Sequence, residues 1–168
     1  ATVFVQNTAL AAIGAGVLNT RAILDYQVSQ GELRQLQVRI PTAHRVLRVE
    51  GDSLRIWEVA GDLLTVELLK SISPSYKLTI ETEVPLEPFP AKLQVEIPHA
   101  VGVKRETGLV AYRPGEEVSL DPVTVTGLQR VDSEEFQRAL PAVKEPVSAY
   151  RFLEPGFALA LNADAVQP

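Results

Sequence analysis

The feature that most restricts how this chain can fold is a period of two. Leu36-Gln37-Val38-Arg39-Ile40-Pro41 alternates apolar and polar residues and stops at a proline. Leu93-Gln94-Val95-Glu96-Ile97-Pro98 repeats the word with one change, Glu96 for Arg39. An extended backbone sends successive side chains to opposite faces. Leu36, Val38 and Ile40 then line one side, and Gln37 and Arg39 the other. That is the pattern of a half-buried strand. Proline closes each run because it has no N–H for a sheet ladder. A second valine-bearing run follows each proline, Val46 to Glu50 and Val101 to Lys104, and Gly51 and Gly108 close the two units. Either a β-unit has been duplicated, or two strands with similar jobs have converged on similar words. With only two copies, duplication implies pseudo-symmetry within one core rather than a solenoid.

The rest of the chain speaks the same language. Val3 and Val5 alternate, and Gly14-Ala15-Gly16 sits where a hairpin would turn. A helix there would carry two glycines, each costing about 1 kcal/mol relative to alanine. The return strand alternates Ala22, Leu24, Tyr26 and Val28 with polar or outward positions, and Gln30-Gly31 is its turn. Leu54 to Val59, Leu64 to Leu68, Tyr76 to Ile80, Leu109 to Arg113, Val118 to Val125, Val147 to Leu153 and Phe157 to Leu161 complete the strands. Ser71 to Ser75 reads as a loop. Pro85, Pro88 and Pro90 form a stiff connection suited to crossing between sheets. Asp132-Ser133-Glu134-Glu135 is a helix start, with Asp132 as cap, Phe136 and Leu140 on one face and Pro141 as the stop.

Many short strands and one short helix predict an all-β chain, an antiparallel two-sheet β-sandwich, with a closed barrel as the alternative. Alternation, rather than continuous apolar runs, argues against a parallel sheet. At 168 residues the chain is expected to be a single sandwich domain spanning 1–168. It contains no methionine, so it is expected to be a processed product or a fragment of a longer chain.

The net charge of −5 argues against nucleic acid as partner, since such binders carry a basic surplus. The densest basic pair is Lys104-Arg105. The absence of cysteine removes disulfides, thiolate metal sites and cysteine nucleophiles. No apolar run approaches the roughly 18 residues that span a bilayer.

Residues with chemistry are few. His44 and His99 follow the two prolines and would converge if the two units faced each other. A metal site would need a third ligand and an orienting carboxylate, and no paired-histidine spacing is present. The carboxylates Glu50, Asp52, Glu58, Asp62, Glu81, Glu83, Glu106, Glu116 and Glu117 read as solvated surface. No serine elbow, phosphate loop or dinucleotide fingerprint occurs. The sequence therefore predicts no catalytic residue, no metal and no cofactor. Trp57 shares a face with Arg55 and Val59, and Tyr112 holds a comparable late-strand position. Either ring is core, or it is a ligand-binding surface suited to a sugar or a protein.

The Leu-x-Val-x-Ile-Pro units resemble the β-rich segments of large, uncharacterised bacterial extracytoplasmic proteins, over about Arg21 to Asn162. That resemblance implies a non-enzymatic, envelope-associated structural or interaction domain, outside the cytoplasm. Its expected partners are other domains of the parent protein or a second copy, through a sheet face or an edge such as Thr124-Val125-Thr126. The alternative is a carbohydrate-binding or carbohydrate-active sandwich using Trp57, Tyr112 and His44 or His99.

Overall fold

A computed structural model describes residues 1–72 and 74–167. The predicted hairpin is present. β1 (Thr2–Ile13) and β2 (Val17–Gln30) meet at a turn where the Gly14 N–H donates to Val17 O at 3.0 Å. Gly16 has φ 90°, a left-handed conformation that a side chain would disfavour. There follow β3 (Leu33–Arg39), β4 (Arg45–Glu50), β5 (Leu54–Ala60), β6 (Leu63–Ile72) and β7 (Ser75–Pro85). Of the expected loop from Ser71 to Ser75, Ser73 lies outside the described residues, while β6 and β7 take up both flanks. The second half contains β8 (Ala91–Gln94), β9 (His99–Ala100), β10 (Arg105–Pro114), β11 (Val118–Thr126), β12 (Gln129–Val131), α1 (Ser133–Ala139), β13 (Ser148–Phe152) and β14 (Ala158–Ala165).

The strands form three sheets. The largest has the order β12-β13-β10-β1-β2-β7-β4, a second β5-β6-β3-β9 and a third β11-β14-β8. Alternation decides which side of each is buried. Val3, Val5, Ala9, Leu24, Leu78 and Val110 share the inner face of the large sheet. They join one core with Leu36, Val38, Leu64 and Val66 of the second sheet and Leu93, Leu159 and Leu161 of the third. The two smaller sheets thus make the opposite layer of a sandwich. The proline-rich crossing carries the chain from β7 in one layer to β8 in the other, as its stiffness predicts.

The capped helix is also present. Asp132 accepts the Glu135 N–H at 2.9 Å, and Phe136 is fully buried. Phe136, Leu140, Val143 and Val147 cover Leu10, Ala111 and Ala149 on the outer face of the large sheet. No helix among the described residues is long and apolar enough to cross a membrane.

Three expectations need correction. First, the sheets are not wholly antiparallel: β1 and β10 run parallel, from Phe4 opposite Arg105 to Ile13 opposite Pro114. Alternation reports that one face is wet, and α1 covers only part of the outer face here, so alternation is silent about strand direction. Second, the echoed words occupy unlike places. β3 lies inside the second sheet, whereas β8 lies at an edge and ends at Gln94. Val95 and Ile97 stay buried at 2% but leave the strand, with the Val95 N–H donating to Leu159 O at 2.8 Å. The run at 101–104 is loop. Third, Gly108 does not close a unit but lies within β10, where an added Cβ would come within 1.8 Å of the Asn7 carbonyl oxygen.

Among the described residues the sheets remain open, and no barrel closes. Their edges are blunted. β4, β5 and β11 carry register breaks at Val46/Arg48, Leu54/Ile56 and Pro122/Thr124. β8, β9 and β12 have four, two and three residues. Thr124-Val125-Thr126 does lie on an edge strand, but a bulge beside Pro122 interrupts its pairing. Bulges and short strands are the usual protection against a foreign strand.

Candidate functional site

The densest polar chemistry lies inside the sandwich. Glu106 begins the inward stripe of β10 and is 3% exposed. Its Oε1 accepts the Ala100 N–H at 2.7 Å. Its Oε2 accepts from His99 Nδ1 and from Asn7 Nδ2, the latter at 3.3 Å. Asn7 takes an inward slot of β1 between Val5 and Ala9 and also donates to Pro98 O at 2.8 Å. The expectation that Glu106 is solvated surface is therefore wrong. Its parity with Val110 and Tyr112 turns it inward, and three donors compensate for the loss of water.

Glu106 fixes the ring of His99 through Nδ1 and leaves Nε2 as the free nitrogen. The ring stands edge-on to Phe152 and Phe157, with centroids 5.9 and 5.8 Å away. His99 lines a shallow cavity of about 190 Å³ with Arg39, Glu96, Pro155 and Phe157. Arg39 is held by Asp62 at 2.8 Å. Two buried polar atoms near this cluster, Asn7 Oδ1 and the Tyr26 hydroxyl, have no partner among the described residues. Burial, and then the charge of Glu106, push the Tyr26 phenol well above its ordinary range.

An oriented imidazole can accept or donate one proton. Metal binding or nucleophilic catalysis requires further groups around it. Among the described residues no three histidine, cysteine, aspartate or glutamate side chains gather as a metal site. His44 does not join His99. Its Nδ1 lies 2.8 Å from the Thr82 hydroxyl, in a separate region, and burial lowers its pKa to about 4.

The two aromatic candidates are also apart. Tyr112 is 4% exposed on the inner face of the large sheet and stacks on Tyr150 with centroids 6.3 Å apart. Arg130 caps the Tyr150 ring at 5.4 Å. Trp57 is half-buried on β5 of the second sheet, opposite Val66, and packs against the core. The bulge at Leu54/Ile56 shifts β5, so that Leu54 and Trp57 both lean inward while Ile56 is 53% exposed.

The class defined by these features is an open, mixed β-sandwich with a buried polar tie and a helix on one outer face. No protein-family model matches the chain, and no curated protein matches it. Solved structures share its fold. The chain is similar to an M1 zinc metallopeptidase from Deinococcus radiodurans, with a TM-score of 0.58 and 10% identity. That match covers 96% of this chain and 42% of the other. It is likewise similar to a two-domain M1 zinc metallopeptidase variant bound to L-tryptophan, with a TM-score of 0.58, 11% identity, and coverage of 96% and 43%. The chain spans less than half the length of the metallopeptidases it matches. At such identity the likeness is one of fold.

Proposed function

We propose that this chain is a non-enzymatic interaction domain that works by presenting a sheet face to other domains of a larger protein. One observation carries the reading: its fold recurs as 42% of a longer metallopeptidase chain while accounting for 96% of its own length. A fold that recurs as part of a longer chain is suited to support and contact. The blunted edges favour a face over an edge as the contact surface. The resemblance of the proline-closed units supports, as part of the same proposal, a location outside the cytoplasm in the bacterial envelope.

The experiment is hydrolysis of aminoacyl p-nitroanilides by the whole chain, with and without added zinc, together with zinc content after gel filtration. The reading predicts no turnover above buffer and no retained stoichiometric zinc. Zinc-dependent turnover that disappears in Glu106→Gln or His99→Ala would overturn it.

A further inference from the structure

The outer face of the large sheet is only half covered. α1 and the segment after it shield Leu10, Ala111 and Ala149. Toward the other end of the same strands the face is open. There Arg105 lies opposite Phe4 and Thr107 opposite Gln6, while Leu109, opposite Thr8 and Arg151, packs on the helix cluster where its cover ends. Leu153, just past the end of β13, lines the same groove as Arg151. It is 69% exposed, and Phe4 is 36% exposed.

Leu153 forms the ridge between two grooves. One, of about 610 Å³, is lined by Val103, Lys104, Arg105 and Glu154. The other, of about 520 Å³, is lined by Gln6, Thr8, Arg138 and Arg151. Thr107 and Leu153 line both. The charges are unevenly satisfied. Arg151 pairs with Glu135, but Lys104, Arg105 and Arg138 form no ion pair among the described residues. Exposed apolar side chains framed by unpaired cations, on a chain of net charge −5, mark a place where opposite charge is wanted.

We propose that this open half-face binds an acidic peptide segment of a partner domain, its carboxylates meeting Lys104, Arg105 and Arg138 and an apolar side chain packing on Leu153. The inference deepens the interaction-domain reading and rests on it. Two grooves divided by a ridge suit an extended chain better than a flat bilayer. Gln6, Thr8 and Thr107 supply neutral hydrogen-bonding groups beside the cations.

The test is a fluorescence-anisotropy titration of the whole chain with a labelled peptide of glutamate and leucine. A lysine–leucine peptide of equal length is the control, and phosphatidylserine–phosphatidylcholine vesicles are assayed in parallel. The expected result is saturable binding of the acidic peptide alone, weakened by salt. Binding should fall about tenfold or more in K104E/R105E and in L153D. All three positions are exposed, so circular dichroism and Trp57 emission should match wild type; Arg138→Glu gives an independent readout if either variant fails to fold. Absence of saturable binding, equal binding of the basic peptide, indifference to these variants, or binding to vesicles only would each overturn the proposal. None of those outcomes produces zinc-dependent hydrolysis, so the failure of this inference is distinguishable from that of the function above.

Discussion

Replacing Glu106 with leucine tests whether the buried carboxylate ties the two ends of the 98–106 segment to β1. The side chain is 3% exposed and accepts from Ala100, His99 and Asn7. Leucine fills similar space but accepts nothing. The three donors do not suffer equally. Asn7 Nδ2 keeps Pro98 O at 2.8 Å. The His99 side chain is 22% exposed and can turn to water. The part-buried Ala100 N–H loses its carboxylate partner outright, and a hydrogen bond to a charged group contributes about 1.5–3 kcal/mol. Adding the weakened contacts at Asn7 and His99 gives a loss of about 3 kcal/mol for Glu106→Leu. Glu106→Gln should cost only about 1 kcal/mol, because the amide oxygen still serves Ala100 and the imidazole can switch tautomer to accept from the amide nitrogen. Urea unfolding followed by Trp57 fluorescence measures both. A slope of about 2–3 kcal/mol per molar converts the leucine variant's loss into a midpoint lower by about 1–1.5 M. A leucine variant within about 0.5 kcal/mol of wild type would refute the reasoning, as would equal costs for the two substitutions.

Gly108, His44 and Trp57 give three further expected outcomes. Gly108→Ala would force β10 off β1, since its Cβ would meet the Asn7 carbonyl oxygen at 1.8 Å; thermal unfolding should register a loss of about 2–4 kcal/mol. His44 has its folded-state pKa lowered to about 4 from 6.5 by burial, so the folded state favours the neutral ring. Stability from this site is whole above pH 6.5 and is lost as pH falls toward 4, by about 1–2 kcal/mol once the solvent-exposed part of the ring is allowed for; His44→Gln should flatten that acid limb in urea midpoints taken across the window. Trp57, half-buried against the core, should show intermediate quenching by acrylamide and an emission unmoved by glycans; a glycan-dependent shift would favour the carbohydrate-binding alternative.

The sandwich was legible in the sequence because its strands are wet on one side. Leu36, Val38 and Ile40, or Leu24, Tyr26 and Val28, declare their buried face residue by residue. The helix at Asp132 was legible from its cap and from the spacing of Phe136 and Leu140. The parallel pairing of β1 with β10 was not, because alternation carries no strand direction. The Leu93 word misled for a different reason. Val95 and Ile97 are as buried as their counterparts, but β14 supplies a ladder only as far as Gln94, beyond which the Val95 N–H still donates to Leu159 O and Asn7 holds Pro98 O. Trp57 could not be placed because a bulge two residues earlier resets the parity of β5. The buried cluster did leave a signal: Asn7 interrupts the inward stripe of Val3, Val5 and Ala9, and Glu106 heads that of Val110 and Tyr112. A polar residue in an apolar slot asks for a partner, and each finds the other. What no pattern shows is that Ala100 and His99 arrive on the two-residue strand β9 of the opposite layer to complete it.

Native-state hydrogen exchange on the whole chain reaches the architecture on which every other claim here stands. The account predicts the slowest amides in β1, β2 and β10, which are paired on both sides and covered by the opposite layer, with the Ala100 amide also protected through Glu106. β5 and β11 should exchange fastest among the strands. Uniformly rapid exchange, or strong protection of β5 and β11 with β1 and β10 open, would contradict a two-layer sandwich centred on the parallel pair.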